Sequence, residues 1–126
     1  MPSIRLDKQI FPFFNSVKKG EIESAESSVF NNNGFNIMKL EVNTKSNGSI
    51  MIGVLGCVNI LNEDGTEKTD DECSWVPLSG IDNNFNIVSL IGRNGLFSFS
   101  IDGLARVKIT NLGSSLSGTI VGVAEV

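Results

Sequence analysis

The apolar residues of this chain come in short runs, and turn chemistry separates them. Phe35 to Lys45 alternates, with Met38, Leu40 and Val42 on one side and Lys39, Glu41 and Asn43 on the other. A period of two is the mark of a half-buried strand. Ser49 to Leu61 (SIMIGVLGCVNIL) is apolar on both sides and reads as a central strand covered on both faces. Cys73 to Ser79, Phe85 to Ile91, Gly95 to Ile101, Leu104 to Leu112 and Ser117 to Val126 read as further strands. Between them stand Asn31-Asn32-Asn33-Gly34, Ser46-Asn47-Gly48, the polar tip 62–72 and Asp102-Gly103. Asn-Gly and Asp-Gly are the dipeptides that supply positive φ in tight hairpins. Only Gly20 to Ser28 offers room for a short helix, and its charges and serines suit a strand or loop equally. The pattern predicts an all-β domain: a single β-sandwich or jelly-roll-like fold of about seven to eight antiparallel strands.

Length and composition agree with one folded domain. The 126 residues are 40% hydrophobic and 19% charged, too apolar for a disordered chain. No apolar run approaches the ~18 residues of a membrane helix. Met1 to Leu6 lacks a signal-type apolar core, so synthesis and folding in a cytoplasm are expected. The net charge is −4, and Lys and Arg are scattered apart from Lys18-Lys19. A nucleic-acid surface needs clustered cations, so no nucleic-acid partner and no membrane partner are expected.

The inventory of chemistry is thin. The chain has no His and no Tyr. Without His there is no Ser-His-Asp or Cys-His nucleophile system and no His-based zinc site. The acidic tip (Glu63, Asp64, Glu67, Asp70, Asp71, Glu72) could offer oxygen ligands to calcium, but its order does not match an EF-hand loop. Adjacent carboxylates such as Asp70-Asp71 would point to opposite faces of a strand, a poor start for glycoside hydrolysis. A solvated hairpin tip is the plainer reading. Cys57 and Cys73 lie about symmetrically around Gly65 and would come near each other if the flanking strands pair. A reducing cytoplasm favours two core thiols, and a disulfide formed after release is the alternative. The single tryptophan, Trp75, reads as a core anchor, or, if exposed, as a contact platform. No catalytic, cofactor or metal residue is assigned, and the chain is expected not to be an enzyme.

The N-terminal run Ile10-Phe11-Pro12-Phe13-Phe14 is dense in aromatics around a proline. Proline removes a backbone donor, so residues 1–15 are read as an extended arm or edge strand ahead of a sandwich domain spanning 16–126. Either its phenylalanines close one end of the core, or Ile10, Phe11, Phe13 and Phe14 pack on a neighbouring subunit.

Residues 50–124 carry a resemblance. Gly53-x-x-Gly56 is followed by Ser74-Trp75-Val76-Pro77-Leu78-Ser79-Gly80, then by Asn94 to Ile101, Asp102-Gly103-Leu104-Ala105-Arg106-Val107-Lys108-Ile109, and Ser117-Gly118-Thr119-Ile120-Val121-Gly122. In order and spacing this resembles a β-sandwich structural module of tailed-bacteriophage virion proteins, of the capsid decoration, head-fibre or baseplate type. The resemblance implies a virion protein with no catalytic residues. For a copy without a fused fibre, it implies a capsid decoration protein that binds and stabilises the assembled head. A tail or baseplate adhesion or receptor-binding module, or a neck or tail ring component, is the alternative. Its partners would be the major capsid protein or other virion subunits, with homo-oligomerisation left open. Arg106 and Lys108 alternate with Val107 and Ile109, which predicts one polar and one buried face, with a loop carboxylate as a candidate partner for Arg106.

Overall fold

The computed structural model describes residues 8–16, 26–46 and 48–126. They form two antiparallel sheets with a shared core. The strands are β1 (Lys8–Ser16), β2 (Phe30–Asn31), β3 (Ile37–Lys45), β4 (Ile52–Cys57), β5 (Val76–Pro77), β6 (Gly80–Asp82), β7 (Ile87–Val88), β8 (Gly95–Ser100), β9 (Arg106–Asn111) and β10 (Ser117–Glu125). The six-stranded sheet has the order β1-β10-β3-β8-β6-β7, and the four-stranded sheet the order β2-β9-β4-β5. Among the described residues the one helical element is a 3-10 turn at Asp70–Glu72. The expected all-β sandwich is the observed fold. The strands outnumber the sequence reading because several are only two or three residues long.

Alternation decides which side chains enter the core. In β3, Met38, Leu40, Val42 and Thr44 are buried while the residues between them are exposed. Across the register Leu40 stands opposite Phe97, Met38 opposite Phe99, and Val42 opposite Ile120. The four-stranded sheet contributes Phe30, Ile52, Val54, Val107 and Ile109 to the same cluster. Phe35, Ile91, Ile101 and Leu116 enter it from the connections between strands.

Two turn signals do different work from the hairpins they predict. β3 pairs with β10 and β8, whereas β4 pairs with β9 and β5. The Ser46–Gly48 stretch therefore carries the chain from one sheet to the other; Asn47 lies outside the described residues. Asp102-Gly103 likewise links β8 of the larger sheet to β9 of the smaller. Gly103 has φ +79° within a turn closed by Leu104 N–H donating to the Ile101 carbonyl at 3.0 Å. Asn32 locks this crossing. Its side-chain amide donates to the carbonyls of Phe35, Ile101 and Leu104, and its Oδ1 accepts from the Phe35 N–H at 2.9 Å.

The aromatic N-terminal run is strand β1, at the edge of the six-stranded sheet and paired with β10 from Lys8↔Glu125 to Ser16↔Gly118. The register shifts between Pro12 and Phe14, so the extra residue Phe13 turns inward together with both its aromatic neighbours. Phe13 is only 3% exposed, and Phe11 and Phe14 pack against the core. The Phe11 ring meets Phe13 and Phe30 edge-on, at centroid distances of 4.9 and 5.3 Å. Room for this comes from Gly122, where a Cβ would stand 2.7 Å from the Phe13 ring and 2.6 Å from Met38 Sδ. The Gly20–Ser28 stretch lies mostly outside the described residues; Glu26 bridges Thr110 beside β9.

Candidate functional site

The outer faces of the two sheets differ. On the four-stranded sheet, Gly53↔Thr110, Leu55↔Lys108 and Cys57↔Arg106 face away from the core. Lys108 and Arg106 are nonetheless buried, because the 58–75 connection folds back over them. The Arg106 side chain is 6% exposed and donates to Glu67 Oε1 at 2.8 Å, Asp70 Oδ1 at 3.2 Å and Cys73 Sγ at 3.2 Å. Burial disfavours its charge, but Glu67, Cys73 and Asp70 outweigh that and hold its pKa above the usual value. Trp75 forms part of the same roof. Its indole N–H donates to the Asp70 carbonyl at 2.9 Å, and Lys108 Nζ lies 4.4 Å from its ring centroid while pairing with Glu26 at 2.9 Å.

The polar face predicted for β9 is thus covered by the chain's own loop, and the loop carboxylates that Arg106 bonds are Glu67 and Asp70. Trp75 is a half-buried lid over Lys108 and not the expected core anchor. The reason is local: only Val76–Pro77 joins the ladder, opposite Gly56 and Leu55, so Cys73 to Trp75 run outside the sheet. Cys57 and Cys73 are both buried and free, and both stand beside Arg106: Cys57 opposite it in the ladder and Cys73 Sγ 3.2 Å from its guanidinium. Burial, followed by the contact with Cys73, pushes the Cys57 thiol up to about 11.

The acidic tip is organised from within. Asp64 accepts from the Thr66 hydroxyl and N–H, and Glu72 accepts from the Thr69 N–H and hydroxyl; these bonds hold both carboxyls below their ordinary range. With Glu67 and Asp70 bound to Arg106, the tip's acids are largely engaged by the protein. Among the described residues no group of three or more metal-ligating side chains stands together.

The outer face of the six-stranded sheet has no such roof among the described residues. Register lines up Ile10, Val123, Lys39, Ser98, Ile81 and Ile87 across all its strands, with Pro12, Val121, Glu41 and Leu96 in the next row. A shallow groove of about 500 Å³ crosses this face over Leu96, Val121 and Val123. At one end Glu125 holds Lys39 at 3.2 Å and Lys8 at 3.4 Å, which draws its carboxyl below the ordinary range. At the other end lies buried Asp82. Its carboxylate accepts from the N–H groups of Asn86 and Asn84, the Asn86 side chain and Arg93, which hold its pKa low.

The Asp82 bonds shape the tip between β6 and β7. They place Phe85 at φ +66°, where the residue is 83% exposed, beside Ile87 at 80%. A bulky residue with positive φ is uncommon and is held there by its surroundings. In sequence Phe85 reads as the start of a strand; the flanking Asn83-Asn84 and Asn86 are the signal for a turn. Of the four residues assigned to a docking arm, only Ile10 (70% exposed) points outward. The core takes Phe13, and Phe11 and Phe14 lie against it.

No family model matches the chain, and no curated protein does. The fold is similar to the crystal structure of the SPBc2 prophage-derived protein YomS, at a TM-score of 0.62 and 20% identity over 98% of each chain.

Proposed function

We propose that this chain is a non-enzymatic virion subunit of a tailed bacteriophage that acts as a capsid decoration protein. The observation that carries the reading is the fold likeness over 98% of both chains to a prophage-derived protein. The resemblance of the motifs in residues 50–124, in order and spacing, to virion modules points the same way. The proposed contact is the open face of the six-stranded sheet, with Ile10, Val121, Val123, Leu96, Ile81 and Ile87 against the major capsid protein. Phe85 is the aromatic anchor at its end, the kind of residue that dominates binding energy at interfaces. Binding only to the assembled shell stabilises that state by mass action, and repetition over the shell makes a modest site effective.

The test is to add the purified protein to empty shells of the phage that encodes it and count bound copies by quantitative mass spectrometry. A copy number that scales with the capsid subunits, lost on Phe85→Ser together with Ile87→Ser, supports the reading. Absence of shell binding, or a few copies confined to the tail or neck, overturns it.

A further inference from the structure

We propose that Cys57 and Cys73 are a redox-convertible pair, closed to an intramolecular disulfide by exchange with a small oxidised disulfide of the glutathione type. The proposal concerns a part of the molecule remote from the docking face and stands or falls independently of the virion reading.

The placement of the two cysteines supports it. Cys57 ends β4, within a ladder that fixes its backbone opposite Arg106. Cys73 follows the 3-10 turn Asp70–Glu72, whose last hydrogen bond runs from the Cys73 N–H to the Asp70 carbonyl. Both cysteines are buried against the same side chain: Cys57 pairs with Arg106 across the ladder, and Cys73 Sγ lies 3.2 Å from its guanidinium, so closure joins two neighbours of Arg106 without refolding the sheet. The intervening residues 58–72 are mostly exposed, and their 3-10 turn contains no buried residue, so local opening gives an oxidant access to Cys73. Arg106 sets the order of events by placing a cation 3.2 Å from Cys73 Sγ, where negative charge develops during exchange.

Cys73 therefore attacks the oxidant first, forming a mixed disulfide and releasing one thiol of the reagent. Cys57, deeper and protonated at neutral pH, then displaces the second, and its proton leaves with that thiolate. Two protein thiols become one disulfide while one reagent disulfide becomes two thiols. The product staples the 58–72 loop to β4 and fixes the roof over Arg106 and Lys108.

The experiment treats the reduced full-length chain with oxidised glutathione at neutral pH, quenches in acid, alkylates under denaturing conditions and maps the peptides. The expected product lacks two hydrogen atoms, resists alkylation and carries a Cys57–Cys73 cross-link within one chain. Its thermal midpoint rises by about 10 °C and returns on reduction with dithiothreitol. Cys57→Ala should trap glutathione on Cys73, while Cys73→Ala should leave Cys57 unmodified. Two alkylated thiols in the treated protein, stable glutathione on the unmutated chain, or cross-links between chains would overturn the proposal. The unmutated protein alone gives these outcomes, so they do not depend on either variant folding.

Discussion

Arg106 offers a quantitative test of how the loop is held on the four-stranded sheet. Its stem is buried and its guanidinium bonds Glu67 and Asp70, whose side chains remain 66% and 54% exposed. Arg106→Ala removes the Cγ and Cδ methylenes of that stem, which contribute about 1.6 kcal/mol by burial. It also removes two charge-assisted bonds, whose acceptors return to water and so strand no charge. After screening those bonds are worth about 1 kcal/mol together. The expected loss is about 3 kcal/mol for Arg106→Ala, and about 1 kcal/mol for Arg106→Met, which restores the stem. Urea unfolding followed by circular dichroism measures both. Trp75, the only tryptophan, bonds the Asp70 carbonyl, so its emission reports the loop separately. Both variants should shift that emission before global unfolding. Equal losses for Met and Ala would refute the division, because the ion pairs would then outweigh the stem. An unchanged emission would refute Arg106 as the clasp.

Gly122→Ala should destabilise by about 1–3 kcal/mol, since its Cβ would press on Met38 and the Phe13 ring; a measured loss in the Gly122→Ala urea midpoint relieved by Met38→Ala would identify the clash. Phe13→Ala should cost about 3–4 kcal/mol and Ile10→Ser under about 0.5, measured in the same assay. Asp82, Glu125, Asp64 and Glu72 all have lowered carboxyl pKa values, so the native state binds fewer protons than the unfolded chain in acid. Stability should therefore be fully present above about pH 5 and fall as pH drops through the native values below about 4, with a shallower fall in Asp82→Asn. The Cys57 thiol, raised to about 11, gives the opposite limb: its contribution is complete below about 9 and is lost as pH rises through about 11, a loss that Cys57→Ala should abolish.

The sequence was most legible where one face of a strand meets water. The alternation in β3 gave its inward residues directly, because each step of two changes the environment. It was least legible where an outward face is covered by remote chain. Arg106 and Lys108 have the spacing of one polar face; a loop carboxylate is a natural partner for Arg106, but nothing local says that the 58–75 loop supplies it and covers both residues. The same holds for Asp102-Gly103: the dipeptide specifies a turn, while the partners of β8 and β9 decide whether that turn closes a hairpin or crosses between sheets. Phe14 would face outward by simple alternation from Phe11 and Phe13, and only the bulge against β10 turns it inward beside them.

That bulge also changes which experiment can locate a partner surface. Deleting the first fourteen residues would remove Phe11, Phe13 and Phe14 from the core along with Ile10, so lost binding would report lost folding. The exposed residues of the six-stranded sheet separate the two effects. Ile10, Phe85 and Ile87 lie on the surface, where polar substitution changes stability little. In the proposed function, each should weaken shell binding while leaving the urea midpoint in place. The four-stranded sheet, already roofed by its own loop, should tolerate Trp75→Phe without loss of binding. A variant series in which Trp75→Phe weakens shell association and Phe85→Ser does not would move the contact to the opposite face of the sandwich.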